Sequence, residues 1–147
     1  MRNKVSSFLI VDDNELDVEK IARGVRPLGF GNDIVHAEDG YEALDILRGE
    51  CEQKLQTPFV IFLDLNMPRM NGLEFLETLR ADPALSYLPV FVLTTSDRPS
   101  DIEEAYKWNV SGYIVKPIKI DDVMQTLNIL SDYLSIVELP SGVHIGG

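Results

Sequence analysis

The chain of 147 residues carries 24 acidic and 13 basic side chains, a formal net charge of −11 at pH 7. This length suits one domain, and the negative charge disfavours direct binding to the phosphates of nucleic acids. A single cysteine, Cys51, excludes an intrachain disulfide, and no apolar run approaches the length of a membrane span. We therefore expect a soluble cytoplasmic protein, with no membrane segment, whose partners are proteins or metal cations.

Short apolar runs in the first half of the chain predict strands over Ser6–Val11, Asp33–Ala37 and Phe59–Leu63. Apolar residues at helical spacing between and after these runs predict three helices. The first helix should follow the opening strand directly, because Asp13 or Asn14 can cap its first turn. Its apolar stripe is expected to face inward at Leu16, Ile21, Val25 and Leu28.

The second half of the chain continues the same alternation. Strands are predicted over Pro89–Thr95 and Ser111–Val115, separated by a helix that stops near Asn109. A final helix should open at Asp121 or Asp122. Five strands that are continuous apolar runs, alternating with five helices, indicate an α/β fold: a doubly wound five-stranded parallel sheet with helices on both faces.

Polar side chains follow four of the predicted strands where each strand ends. Asp12 and Asp13 follow the first strand, Asp64 the third, Thr94 the fourth and Lys116 the fifth. These ends lie along one rim of a parallel sheet, so neighbouring first and third strands would bring three carboxylates together and require a hard cation such as Mg²⁺. With a lysine and a hydroxyl beside them, the carboxylates suit phosphoryl transfer to a carboxylate nucleophile, Asp64.

Each of these residues also has an ordinary structural explanation. Asp12 and Asp13 can form an N-cap pair favoured by the helix dipole, and Thr94 can be a simple strand-end hydroxyl. Lys116, before a proline, can be a solvated surface lysine, and Asp64 can merely cap a turn. The functional interpretation is favoured because four separate strand ends carry the residue types that one mechanism requires.

The same residues resemble the receiver domain of two-component response regulators. The resemblance covers residues 6–135 and depends on five motifs: Asp12-Asp13, Asp64 with Asn66-Met67-Pro68, Asn71-Gly72, Thr94, and Lys116-Pro117. It implies a flavodoxin-like sheet with the strand order 2-1-3-4-5. It also implies that Asp64 accepts a phosphoryl group from a sensor histidine kinase, and that Thr94 and Lys116 bind the phosphoryl oxygens.

The resemblance implies a divalent cation beside Asp64. Mg²⁺, with Mn²⁺ as an alternative, would be held by Asp13, Asp64 and the backbone carbonyl of Asn66, with Asp12 acting through a water molecule. No enzymatic activity is implied beyond assistance to the protein's own phosphorylation and dephosphorylation.

Tyr113 occupies the aromatic switch position of the family, three residues before Lys116. Movement of Thr94 toward a phosphoryl group would open space for the Tyr113 ring to rotate inward. The rotation would change the face formed by the fourth helix, the fifth strand and the fifth helix. A tyrosine merely packed on a short strand is the alternative.

Two features extend beyond the shared motifs. The connection Glu50–Thr57 is longer than in minimal receivers, and the chain stays apolar over Tyr133–Pro140. A similar extension occurs in the stand-alone regulators that partner phytochrome kinases, so the resemblance implies a phytochrome-type kinase. It allows a homodimer through the face described above or through the extension. The receiver domain is expected over residues 1–135, followed by an extension over residues 136–147 that is partly apolar and then disordered.

Two other functions use some of the same residues. A Mg²⁺-dependent aspartyl-phosphate hydrolase of the haloacid-dehalogenase kind also has a strand-end Asp nucleophile, but it normally needs a second Asp two residues later, where this chain has Asn66. A degenerate receiver that serves only as a binding scaffold would not need the acid pair, Asp64, Thr94 and Lys116 together. The predicted function is that of a single-domain response regulator.

Overall fold

A five-stranded parallel sheet forms the centre of the molecule, with strands in the order β2-β1-β3-β4-β5. The computed structural model describes residues 7–26, 33–50, 59–117, 119, 121, 122 and 125. The strands and helices in that part of the chain are β1 (Ser7–Val11), α1 (Glu15–Val25), β2 (Asp33–Ala37), α2 (Gly40–Leu47), β3 (Phe59–Leu63), α3 (Gly72–Ala81), β4 (Val90–Thr94), α4 (Pro99–Lys107) and β5 (Gly112–Val115). The predicted doubly wound sheet and its strand order are confirmed.

Four helices are described where the sequence predicts five. Asp121, Asp122 and Gln125 are helical, in agreement with a final helix that opens at this point. The rest of that helix, the connection over residues 51–58 and the extension over residues 136–147 lie outside the described residues.

The strands are continuous apolar runs because both faces of the sheet are covered. On one face, strand side chains pack with α2, α3 and α4 in a core cluster that includes Leu9, Ile61, Val92, Phe75 and Ala105. On the other face, the alternate strand residues pack with α1; this cluster is Phe8, Ile10, Ile21, Val60, Phe62 and Leu93. Successive residues of a strand point to opposite faces, so most positions of a doubly covered strand are apolar, as over residues 8–11 and Phe59–Leu63.

The prediction that Leu16 faces the core was wrong. Leu16 is 75% exposed, whereas Val18 and Ile21 contact the sheet. Leu16 precedes Ile21 by five positions, which places it about 140° away around a helix of 3.6 residues per turn. The predicted cap is confirmed, since the Asn14 side chain accepts hydrogen bonds from the backbone N–H groups of Leu16 and Asp17.

Helix α3 begins in contact with the backbone that follows β3. The Gly72 N–H donates to the Leu65 carbonyl over 3.0 Å. A Cβ at Gly72 would lie 2.5 Å from the Asp64 carbonyl oxygen and 2.7 Å from the Leu65 Cα, so only glycine fits without a shift of the main chain. The helix is therefore fixed directly against the main chain of Asp64.

Arg80 connects several segments near the N-terminal end of β4, at the end of the sheet that lies away from Asp64. Its guanidinium donates four hydrogen bonds, to the carbonyl oxygens of Trp108 (2.7 Å), Ser86 (3.0 Å), Leu88 (2.7 Å) and Asn109 (3.1 Å). These carbonyls belong to the C-terminal end of α4 and to the segment that leads into β4. One side chain of α3 thus satisfies main-chain acceptors of two neighbouring segments.

Replacing Arg80 with methionine should lower the free energy of unfolding by about 2–3 kcal/mol, because hydrogen bonds from a charged donor are lost and part-buried carbonyls are left without it. Urea denaturation followed by circular dichroism measures this change. Arg23→Met is the matched control, since Arg23 forms an exposed ion pair with Glu19 at 3.9 Å, and its loss should cost less than about 0.5 kcal/mol. Equal losses in the two variants would contradict this role of Arg80.

Candidate functional site

The C-terminal ends of four strands bring the predicted residues together at one rim of the sheet. Asp12 and Asp13 follow β1, Asp64 follows β3, Thr94 ends β4 and Lys116 follows β5. Main-chain hydrogen bonds continue past the strand ends, from Asp64 N–H to the Val11 carbonyl (2.9 Å) and from Lys116 N–H to the Thr94 carbonyl (2.7 Å). The backbone therefore holds the side chains of neighbouring strands side by side.

Three carboxylates form a cluster with the geometry of a cation site. Asp12, Asp13 and Asp64 each offer an oxygen, and these oxygens lie within 4.8 Å of one another. Asp12 and Asp64 are buried, whereas Asp13 is exposed, so the cluster is open to solvent on one side. Burial raises the pKa of the Asp12 carboxyl, and hydrogen bonds from Lys116 and the Asn14 backbone oppose that rise without cancelling it. A cluster of carboxylate oxygens with one open side suits a hard divalent cation.

The side chain of Lys116 lies inside the site and is only 6% exposed, so it is not a solvated surface lysine. Its ammonium contacts Asp12 Oδ2 at 2.8 Å and Asp64 Oδ2 at 3.3 Å. A third carboxylate is closer still, because Asp17 Oδ2 lies 2.7 Å from the same nitrogen. Burial alone would lower the pKa of the ammonium, but hydrogen bonds with Asp12 and Asp17 raise it above its ordinary value.

Asp17 was not among the residues predicted from the sequence. It lies in the first turn of α1, where an acid is already explained by the helix dipole. The available signal was its spacing, since Asp17 follows Asp13 by four positions, about one helical turn. Residues four positions apart lie on the same side of a helix, so Asp17 can face the rim as Asp13 does.

The Asp64 carboxylate has a different partner on each oxygen. Oδ2 faces Lys116, and Oδ1 accepts a hydrogen bond from the Asn66 backbone N–H at 3.1 Å. The Asn66 side-chain amide lies 3.4 Å from Thr94 Oγ1 and 3.1 Å from Thr95 Oγ1. Asn66 thus connects the end of β3 to the hydroxyls at the end of β4. Its predicted role as a carbonyl ligand of the cation stays a prediction.

Thr94 is connected to Tyr113 through Ser96. Thr94 is buried, and its Oγ1 accepts a hydrogen bond from the Ser96 backbone N–H at 3.3 Å. The Tyr113 hydroxyl donates to the Ser96 carbonyl at 2.8 Å. Burial raises the pKa of the Tyr113 phenol, although the hydrogen bond with Ser96 acts in the opposite direction. Ser96 Oγ also lies 2.5 Å from Asp101 Oδ2, so the same residue reaches the first turn of α4.

Two further contacts were not anticipated from the sequence. His36 Nε2, on β2, lies 2.6 Å from the backbone carbonyl oxygen of Asp12. Arg69, in the loop after Asp64, forms an ion pair with Asp39 at 3.1 Å, and its guanidinium lies 5.2 Å from the centre of the Tyr41 ring. Both contacts hold backbone beside the cluster to neighbouring elements.

The order of the strands and the residues at their ends agree with the result of a family comparison. The family model of the response regulator receiver domain matches residues 8–128. The chain belongs to this family.

Individual relatives match this receiver domain over most of their own length. Chemotaxis protein CheY-3 of Vibrio cholerae is 37% identical over 132 residues, which are 85% of this chain and 96% of CheY-3. The phosphorylated cyanobacterial phytochrome response regulator RcpA is 31% identical with a TM-score of 0.77, covering 93% of this chain and 99% of RcpA. The Mn²⁺-bound response regulator Rcp1 is 29% identical with a TM-score of 0.76, covering 92% of this chain and 99% of Rcp1.

These structural neighbours include phytochrome-associated response regulators, in agreement with the resemblance drawn from the sequence. Among the helices of the described residues, none combines the length and the apolar character needed to cross a membrane.

Mg²⁺ or Mn²⁺ should raise the unfolding temperature of this receiver domain, because a cation that binds only the folded cluster stabilises it by about 2.7 kcal/mol at a hundredfold excess over the dissociation constant. Asp13→Asn removes one carboxylate and should weaken cation affinity by about tenfold or more. Asp45→Asn, an exposed acid on α2, is the control and should retain the parent's response. Thermal unfolding of the parent and the two variants at increasing metal concentration measures these responses. An equal response of the Asp13 and Asp45 variants would exclude this cluster as the cation site.

Proposed function

We propose that this receiver domain works as a single-domain response regulator that accepts a phosphoryl group from a sensor histidine kinase on Asp64. One observation carries the proposal: Asp64 is a buried carboxylate in contact with the Lys116 ammonium and clustered with the Asp12 and Asp13 carboxylates. A carboxylate in such surroundings can act as a nucleophile toward phosphorus, since cationic groups beside it stabilise the charge of the transferring group.

In the transfer, an Asp64 carboxylate oxygen forms a bond to phosphorus as the bond between phosphorus and the histidine nitrogen of the kinase breaks. Lys116, 3.3 Å from Asp64 Oδ2, is placed to donate hydrogen bonds to the phosphoryl oxygens. The Thr94 hydroxyl lies on the neighbouring strand and would donate to the same group.

The proposed cation is Mg²⁺, with Mn²⁺ as an alternative. When bound, the cation would neutralise charge on the transferring phosphoryl group. Asp13, Asp64 and the Asn66 carbonyl would hold it directly, and Asp12 would act through a water molecule. The three clustered carboxylates support this assignment, and the relative Rcp1 is itself a Mn²⁺-bound response regulator.

The proposed signal passes from Thr94 to Tyr113. A phosphoryl group would draw the Thr94 hydroxyl away from the Ser96 N–H, while Ser96 holds the Tyr113 hydroxyl through its carbonyl. Movement of Ser96 would then change the surface around α4 and β5, where Tyr106 and Val115 are exposed. This surface is where we place the binding of downstream proteins.

The proposed kinase is of the phytochrome type. The likeness to RcpA, a cyanobacterial phytochrome response regulator, supports this choice. A homodimer, formed through α4, β5 and the fifth helix or through residues 136–147, stays a prediction, as do the cytoplasmic location and the lack of direct nucleic-acid binding.

Neither alternative function gains support from the site. A hydrolase of the haloacid-dehalogenase kind would need a proton donor at Asn66, where a neutral amide instead faces the hydroxyls of Thr94 and Thr95. A scaffold without phosphorylation would not need Lys116 buried against Asp64.

Incubation with Mg²⁺ and acetyl phosphate should add one phosphoryl group to the parent chain and none to Asp64→Asn, because the amide lacks a nucleophilic oxygen. Intact-mass spectrometry measures the addition. Asp45→Asn, which also replaces an acid by its amide but on the surface of α2, should be labelled like the parent. Label that persists in Asp64→Asn would place the acceptor elsewhere and contradict the proposal.

Tyr113→Phe removes the hydroxyl that reaches the Ser96 carbonyl and keeps the ring. Labelling of Asp64 should persist, stability should fall by about 1 kcal/mol, and the phosphorylation-dependent shifts of amide resonances in α4 should be strongly reduced. Two-dimensional NMR before and after labelling measures these shifts. The matched control is Tyr87→Phe, at an exposed position before β4. Unaltered α4 shifts in Tyr113→Phe would show that the signal does not pass through this hydroxyl.

A further inference from the structure

The ammonium of Lys116 is surrounded by negatively charged partners. A lysine ammonium carries three N–H donors. Three carboxylates surround Lys116 Nζ, with oxygens at 2.7 Å (Asp17), 2.8 Å (Asp12) and 3.3 Å (Asp64). The ammonium donates hydrogen bonds to Asp12 and Asp64 and forms its shortest ion pair with Asp17, so a new acceptor must compete with carboxylates that are already in contact.

Asp17 is the carboxylate that makes the set complete. It belongs to α1 and not to a strand end, and its oxygen is the nearest of the three to the ammonium. Its side chain is 14% exposed, and the Asn14 cap accepts a hydrogen bond from its backbone N–H at 3.3 Å. A first-turn acid is stabilised by the helix dipole even when it faces solvent, so that role alone does not require an ion pair with a lysine of the site.

Phosphorylation would change this balance of acceptors. Phosphorylated Asp64 carries more negative charge than the free carboxylate. Its phosphoryl oxygens need hydrogen-bond donors from Lys116. Asp12 belongs to the carboxylate cluster that could hold a cation, whereas Asp17 is not a member of that cluster. Asp17 is thus the acceptor that competes with the phosphoryl oxygens, and its charge also opposes the approach of an anionic phosphodonor.

We propose that Asp17 is a positioning residue that restrains Lys116 and thereby lowers the affinity of the site for a phosphoryl group. The inference deepens the proposed function and depends on it. The free energy of phosphorylation includes the loss of the ion pair between Lys116 and Asp17. When Asp64 is phosphorylated, the first turn of α1 therefore loses its contact with the end of β5.

The test uses the full chain at saturating Mg²⁺ and two probes, acetyl phosphate for the rate of labelling and beryllofluoride as an equilibrium mimic of the phosphoryl group. Asp17→Asn keeps the size of the side chain and removes its charge. Because a hydrogen bond between charged groups is replaced by a weaker one, we expect about tenfold tighter beryllofluoride binding and a similar increase in labelling rate. Calorimetric titration and intact-mass time courses measure the two quantities.

Three further variants separate positioning from a merely structural role. Asp17→Glu retains the carboxylate and should restore the parent's values. Asp17→Ser retains a first-turn hydrogen-bond acceptor without the charge, and it should behave like Asp17→Asn. Glu19→Gln removes an exposed charge from the same helix, where Glu19 pairs with Arg23, and should change neither quantity.

The outcomes distinguish this inference from the proposed function. If the parent is labelled and Asp64→Asn is not, while Asp17→Asn equals the parent or binds more weakly, the role of Asp17 is overturned and the proposed function stands. Equal gains in Glu19→Gln would likewise overturn it, since the effect would then reflect net charge alone. If the parent is neither labelled nor bound by beryllofluoride, the proposed function fails, and this inference fails with it.

Discussion

The positive charge of Lys116 is shared among carboxylates from three parts of the chain, and the arrangement of the rim depends on it. Asp12, Asp17 and Asp64 approach one buried ammonium, so repulsion between their charges is offset at a single point. Removal of the ammonium would leave buried acids unpaired, which is far more costly than the loss of an exposed ion pair. The same nitrogen connects β5 to β1, β3 and the start of α1.

The topology of the sheet explains why so few residues create the site. Parallel strands deliver their C-terminal ends to one edge, and β1 lies directly beside β3, where Asp12 and Asp64 meet. The apolar runs that precede these acids are buried on both faces and fix the strand ends in register. A glycine at the start of α3 then allows the helix to lie against the Asp64 main chain.

The sequence predicted the sheet and most of the rim because strong local signals mark both. Most strands are apolar runs, and four strands end in, or are followed by, a polar side chain of fitting chemistry. Asp17 was missed because an acid in a first helical turn needs no other explanation, and its distance from Lys116 depends on the angle at which α1 leaves β1. Leu16 was wrongly predicted to face the core because the prediction considered its apolar side chain and not its position around the helix relative to Ile21. Arg80 gave no signal, since the carbonyls that it binds are present at every residue.

The four hydrogen bonds of Arg80 lie at the N-terminal end of β4, while Thr94 lies at the opposite end of the same strand. Arg80 therefore holds α3 to the end of α4 and to the segment before β4 without contact to the groups at the rim. A substitution at Arg80 should weaken the packing of these segments while it leaves the ion pairs of Lys116 in place, whereas a substitution at Lys116 alters both the packing and the charges of the rim.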